Sequence, residues 1–517
     1  MRSSLTSRAD ASARLAPVFL ALLVLAAPVV ALAVKGAGGF HADLALHLAS
    51  TILPLQLWHT LLATVGSVVL ALLLAGGSGC CALFRFPGQA VLSRLLLLPL
   101  LLPTWFLAVV YRERWGVEGT AWLALVLAVG GAPFIHLLLA AGARDLPARY
   151  GELLRCCGRS GLLDAGRVLV PLLGAPLAVG AGCVLLLGWS DVAAARTLAV
   201  PTLGVGLMDQ WSGREEDAVA AWLALLLAGA SLLPVAVLVA LLARVGAADS
   251  GRLPPGSGAF PLSGWARAVP WVISAPQLVL GVVLPLAVTG GWAGERLGRV
   301  DLGLLEGDVV RSVLVALGST LLAASLALPF LHLQATSGSP RWAGAAGRLT
   351  LVHLALPALV VGLAFLWLLP AGSDVGVAAA VNATPVPLLL ALGCRHAGVF
   401  VGTGQAALAR HGRDHAQLVR VLGLTGLPAF LRLFHPFLWR PLTAAAAITF
   451  LEALKDLPVS LVLQPFGFTT IPLRVFQYAQ AQRVKECAVW VVCLALVGLY
   501  PLFTLARLGD NPPRAAA

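Results

Sequence analysis

The chain has 517 residues, 59% of them apolar and only 11% charged, with a mean hydropathy of +0.92 and a formal net charge of +12. Soluble domains carry roughly 25% charged residues, so these side chains cannot coat a water-facing surface, and the bilayer is the expected solvent. The basic excess is scattered through short segments between apolar runs, with neither a basic face nor aromatic-basic clusters, which argues against nucleic acid as a partner.

In chain order, the first apolar run covers residues 15–35. Its end, Ala31-Leu32-Ala33, resembles a signal cleavage site. A run of about 20 apolar residues spans a bilayer, however, and exceeds the ~7–15 residues of a signal core, so a retained first helix is expected. Further runs follow at 57–76, 91–111, 119–141, 172–190 and 218–243. The segment Gly246–Gly264, rich in Gly, Pro and Ser, reads as a linker. Six more runs lie at 268–290, 312–333, 349–370, 375–393, 441–463 and 487–506. The fold class expected is therefore an all-α membrane protein of about twelve transmembrane helices. Residues 1–245 form a first repeat (helices 1–6, core about 57–245), 246–266 a cytoplasmic linker, and 267–517 a second repeat (helices 7–12, core about 311–506).

Orientation follows from basic residues in the short loops. With the N-terminus inside, the inner segments and bordering helix ends hold 23 of the 35 Lys and Arg against seven acidic residues, and the remainder holds 12 basic against 16 acidic. Arg395 is counted among the inner set, at the end of the run 375–393. Both termini are then cytoplasmic. Six helices per half means that the halves face the same way. Gly158 and Gly423, Pro171 and Pro436, and Asp191 and Asp456 are each 265 residues apart, the mark of a duplicated unit. Trp58-His59-Thr60 and Gly318-Ser319-Thr320 are 260 apart, which a five-residue indel would reconcile.

The long basic loop between the fourth and fifth helices of each half carries the most specific pattern. The first reads Glu152-Leu153-Leu154, Gly158, then Val168-Leu169-Val170-Pro171. The second reads Gln417-Leu418-Val419, Gly423, then Leu433-Phe434-His435-Pro436. Apolar residues at helical spacing offer a docking face, glycine permits a turn, and proline opens the next helix, where its missing N–H costs nothing. Both loops resemble the E-A-A, three residues, G, nine residues, I-x-L-P loop of bacterial ABC-importer permeases. They depart from it in lacking the two alanines, and the second has Gln417 in place of glutamate. Phe450 to Pro458, Gln464-Pro465-Phe466-Gly467-Phe468 and Ile471-Pro472-Leu473-Arg474 are most similar to the fused two-repeat permeases of iron(III) importers. Similarity to the thiamine, polyamine and phosphonate branches is weaker.

The resemblance implies a multi-pass protein of the bacterial inner membrane that forms a translocation pathway. It implies a cytoplasmic ABC ATPase partner in two copies, coupled through Glu152, Leu153, Leu154, Gly158, Pro171 and Gln417, Leu418, Val419, Gly423, Pro436. It also implies an extracytoplasmic substrate-binding protein. The three lysines are followed by Gly36, Asp456 and Glu486, so none sits in a phosphate-binding G-x-x-x-x-G-K-[ST] loop. ATP and Mg are expected on the partner, and no cofactor and no catalytic residue on this chain.

Asp191, Glu452, Lys455 and Asp456 are the ionisable candidates for the pathway, read as lying in or at the ends of the fifth and eleventh helices near the outer surface. Buried charges in a membrane pair or face a wet cavity. Two readings stand: an acidic vestibule, or Glu452 paired with Lys455 three residues on and the aspartates solvated at helix ends. Ten dispersed histidines and eight cysteines without C-x-x-C suggest no metal site. The main rival is a secondary transporter of two parallel halves, which needs a midplane site and no repeated loop. A membrane-embedded enzyme would need a clustered constellation of reactive groups.

Overall fold

The structure, a computed structural model, describes residues 2–38, 42–144, 156, 171, 173–213, 217–245, 260–336, 347, 350–368, 380–421 and 430–510. Among the described residues it is helical apart from turns, short connections and a two-residue parallel pairing of Phe84–Arg85 with Phe260–Pro261. Among the described residues, eight helices are long and apolar enough to cross a membrane, or nine if one bent pair counts as a span. Phe19, Leu73 and Leu321 stand largely exposed on such helices. Apolar flanks of this kind are stable against hydrocarbon, where each helix satisfies its own backbone. The fold is that of a multi-pass membrane protein.

The chain divides into two compact units, each assembled from separated segments. The first comprises Met1–His41, Gln210–Ala228 and Asp301–Phe476; the second comprises Ala42–Asp209, Gly229–Val300 and Gln477–Ala517. The helices, in chain order, are α1 (Arg2–Gly38), α2 (Ala42–Thr51), α3 (Leu53–Leu74), α4 (Gly76–Leu83), α5 (Gln89–Leu95), α6 (Thr104–Trp115) and α7 (Thr120–Arg144). They continue with α8 (Gly174–Ser190), α9 (Val192–Thr197), α10 (Leu203–Gly213), α11 (Asp217–Val245), α12 (Val269–Leu278), α13 (Leu284–Arg296) and α14 (Leu302–Thr336). The last are α15 (Thr350–Ala355), α16 (Ala358–Leu368), α17 (Val386–Val421), α18 (His435–Leu454), α19 (Pro458–Leu463), α20 (Ile471–Gln480) and α21 (Ala488–Asp510).

The second unit is built on α3, α7 and α8, which approach closely because small residues line their contacts. A Cβ on Gly66 would lie 3.2 Å from Ala124 Cβ, and one on Gly180 would lie 2.8 Å from Ile135 Cα. The run expected at 91–111 is not one straight helix. It bends by 84° between Gln89–Leu101 and Thr104–Trp115. Pro103 explains the bend: its ring drives Leu102 out of the helical region, to φ −102° and ψ 134°. The hydroxyl of buried Tyr111 on α6 donates to the carbonyl of Leu280, in the π-helical turn Val279–Val283 between α12 and α13. A π turn shifts the carbonyl ladder, and here the tyrosine serves one of its acceptors.

The first unit is built on α14, α17 and α18. A Cβ on Gly318 would lie 2.9 Å from Leu389, and one on Gly393 would lie 2.8 Å from Leu322. Leu331, Leu408, Phe430, Phe434 and Leu438 close one end of this core. The helix α1 belongs to the same unit and packs on α16 and α14. Pro28 inside α1 has no N–H to give the preceding turn. Beside that gap, buried His353 of α15 donates Nε2–H to the Leu25 carbonyl at 2.6 Å. Lys35 pairs with Asp217 at 3.3 Å near the other end of the helix. His353→Leu should therefore destabilise the protein by about 0.5–1.5 kcal/mol, the net worth of one buried hydrogen bond, since the helix's own i→i+4 ladder still serves the Leu25 carbonyl. Thermal unfolding in detergent reads this; an unchanged midpoint would mean that α1 needs no such tether.

Candidate functional site

Of the residues expected to form the coupling loops, Glu152, Leu153, Leu154, Gly158 and Gly423 lie outside the described residues. Gln417, Leu418 and Val419 fall in the last turns of α17, whose side chains there also lie outside the description. Pro171 is exposed. Pro436 is exposed near the start of α18, just after the π-helical turn Phe430–Phe434 from which that helix continues.

The ionisable candidates are better defined, and two placements need correcting. Lys455 and Asp456 do not lie within a helix running over 441–463. The helix α18 ends at Leu454, Lys455 caps it, and a new short helix begins at Pro458. Leu457 stands at the N-cap, and Asp456 just ahead of it supplies the capping side chain: its Oδ1 accepts from Val459 N–H at 3.0 Å. Asp191 does the same for α9, accepting from Ala194 N–H at 2.9 Å. Such a cap answers N–H groups that the first turn leaves unserved. In the bilayer, where water is scarce, that service matters more.

The second correction concerns Arg395. It does not border a loop. It lies in α17, inside the apolar stretch Val386–Ala409, nine residues from Val386 and so about 14 Å along the helix at 1.5 Å per residue. Its guanidinium Nη1 reaches Asp456 Oδ2 at 3.4 Å, and the side chains are 16% and 3% exposed. Lys455 Nζ meets Glu452 Oε1 at 2.9 Å, as the three-residue spacing suggested, with both side chains mostly buried. These four charges, two of each sign, form one electrically balanced group on α17, α18 and the α18–α19 turn. The 265-residue spacing reaches Gly130 from Arg395. A Cβ on Gly130 would lie 2.3 Å from the methyl of Thr104, and the Thr104 hydroxyl donates to Asp191. Glycine thus gives threonine the room to meet one carboxylate, where arginine meets the other directly.

A further ion pair was not anticipated from the sequence. Asp308 on α14 is fully buried, and Arg474 on α20 holds it with both arms of its fork, Nε to Oδ2 at 2.8 Å and Nη2 to Oδ1 at 3.4 Å. Arg311 approaches Oδ1 at 3.6 Å. The signal available was only that arginine and aspartate are rare inside membranes and come in partners when present; 166 residues separate the two.

The chain matches no family model and no curated protein. Its functional reading therefore rests on its own motifs and geometry. Among the described residues, no three His, Cys, Asp or Glu side chains gather as a metal site, and no two of the seven described cysteines are joined by a disulfide.

Proposed function

We propose that this chain is the permease subunit of an ATP-driven importer. On this reading twelve helices form two parallel six-helix repeats in a bacterial inner membrane, with both termini cytoplasmic. The observation that carries the reading is the paired loop pattern, Gly158 to Pro171 and Gly423 to Pro436, at one common spacing. Matched contacts support a duplication behind it. The caps Asp191–Ala194 and Asp456–Val459 are 265 apart at both residues. Gly66 against Ala124 and Gly318 against Leu389 match with offsets of 252 on the first helix and 265 on the second. Leu203 N–H donates to Thr60 Oγ1 at 2.9 Å, and Ile471 N–H to Ser312 Oγ at 2.7 Å, with offsets of 268 and 252. On this reading the first spanning helix of each core takes a register of 252, in place of the 260 from Trp58-His59-Thr60 and Gly318-Ser319-Thr320.

Under this reading, two copies of a cytoplasmic ABC ATPase push on the segments that carry Glu152 to Pro171 and Gln417 to Pro436. A loaded extracytoplasmic binding protein docks opposite, and the halves alternate access to a central pathway. Iron(III) is the cargo proposed, from the resemblance of residues 450–474. The ATP and Mg belong to the partner, and this chain supplies pathway and levers. The decisive experiment reconstitutes the protein in lipid with an ABC ATPase and a binding protein encoded beside it. ATP turnover should rise when the iron-loaded binding protein is added, and Leu153→Asp with Leu418→Asp should abolish co-purification of the ATPase. Cargo movement down an ion gradient by the isolated protein would instead identify a secondary transporter.

A further inference from the structure

The two matched clips, α10 on α3 and α20 on α14, share a hydroxyl anchor and differ in one respect. Each helix starts with an N–H donated to a buried side chain, Thr60 in one case and Ser312 in the other. The next turn is also the same, since Gly206 N–H bonds the Thr202 carbonyl at 3.0 Å and Arg474 N–H bonds the Thr470 carbonyl at 2.9 Å. The side chains at these last positions are what differ. Arg474 grips fully buried Asp308, whereas at the matching places stand Gly206 and Gln56, packed so closely that a Cβ on the glycine would lie 2.3 Å from the Gln56 amide nitrogen. A glycine and a glutamine can form no ion pair.

We propose that α20 is the fixed member of this pair and α10 the releasable one. Lifting α20 from α14 strips the closer of two cations from a fully buried carboxylate, leaving it Arg311 at 3.6 Å, and in a low-dielectric surrounding that separation is opposed. Lifting α10 from α3 breaks the Leu203–Thr60 bond and the neutral packing of Gly206 on Gln56. Asp308 and Arg474 are then positioning residues that make the two clips unequal in strength. The inequality is a property of this chain alone and holds whether or not an ATPase drives it.

Hydrogen exchange on the full-length protein in lipid nanodiscs tests this without partner or cargo. Amides 474–476 should exchange at least tenfold more slowly than amides 206–208. The paired change Asp308→Asn with Arg474→Gln should remove that protection, while Arg474→Lys keeps most of it, and exchange in α7 and α17 reports that the fold persists. Conversely, Gln56→Asp with Gly206→Arg, in which the shorter aspartate makes room for the arginine, should slow amides 206–208 at least tenfold. Equal exchange of the two helices in the unaltered protein overturns the proposal. So does unchanged protection of α20 after neutralisation of its pair, or unchanged exchange of α10 in the Gln56→Asp, Gly206→Arg protein.

Discussion

Replacing Arg395 with leucine lowers the stability of the protein by about 3–5 kcal/mol, the cost of leaving a buried charge without its partner. Asp456 is the group left behind. Its side chain is 3% exposed, so water cannot take over the role of the guanidinium. The Val459 cap bond survives the change but supplies one neutral N–H where a cation stood. Adding Asp456→Asn to Arg395→Leu should recover most of the loss, because the amide can still accept from Val459 and no charge remains to be solvated. The double-mutant cycle isolates the pair energy, read from thermal unfolding in one detergent. Asp191→Asn, by contrast, keeps a good capping residue, and Asp191→Ala should cost only about 1 kcal/mol for the lost cap. If Arg395→Leu unfolds at the unaltered midpoint, the pair contributes nothing and the charges are solvated in lipid-bound protein.

Gly180→Leu is the second large effect expected, about 3 kcal/mol at the upper end of the range for overpacking. A Cβ there would meet Ile135 Cα at 2.8 Å, and that neighbour is backbone, which no rotamer can move aside. Accommodating the side chain means separating α7 from α8, and with it the contact of Gly131 against Val184. Gly290→Ala is the fitting control. No atom lies within 4 Å of a Cβ there, and in α13 alanine should be neutral or stabilise by roughly 0.5–1 kcal/mol through its helix preference. Comparable unfolding midpoints for Gly180→Leu and Gly290→Ala would remove close helix packing as the explanation.

Much of the organisation was legible in local terms. Apolar length marks where helices form, because a helix in hydrocarbon must be about as long as the bilayer is thick. Each of the twelve apolar runs coincides at least partly with one or more helices, although among the described residues the runs at 172–190, 218–243 and 349–370 give stretches too short to pass as spans alone and the run at 91–111 passes only as a bent pair. The Glu452–Lys455 pair was also legible, since a three-residue spacing brings side chains together on any helix. Less was legible where a helix stops. The break at Asp456 depends on a cap and a following proline, set between apolar residues on both sides that read as one run.

By itself, then, the sequence determined the solvent of this protein, its helical class, the placement of its apolar runs and the paired spacing of its two basic loops, all properties of residues near one another along the chain. The tertiary structure alone decided the partners. Arg395 lies 61 residues from Asp456 and Arg474 lies 166 from Asp308, and neither distance along the chain implies a contact. A charge buried in a membrane demands a counter-charge but does not specify which one; only the packing of one helix against another, set by where glycines let them approach, selects it.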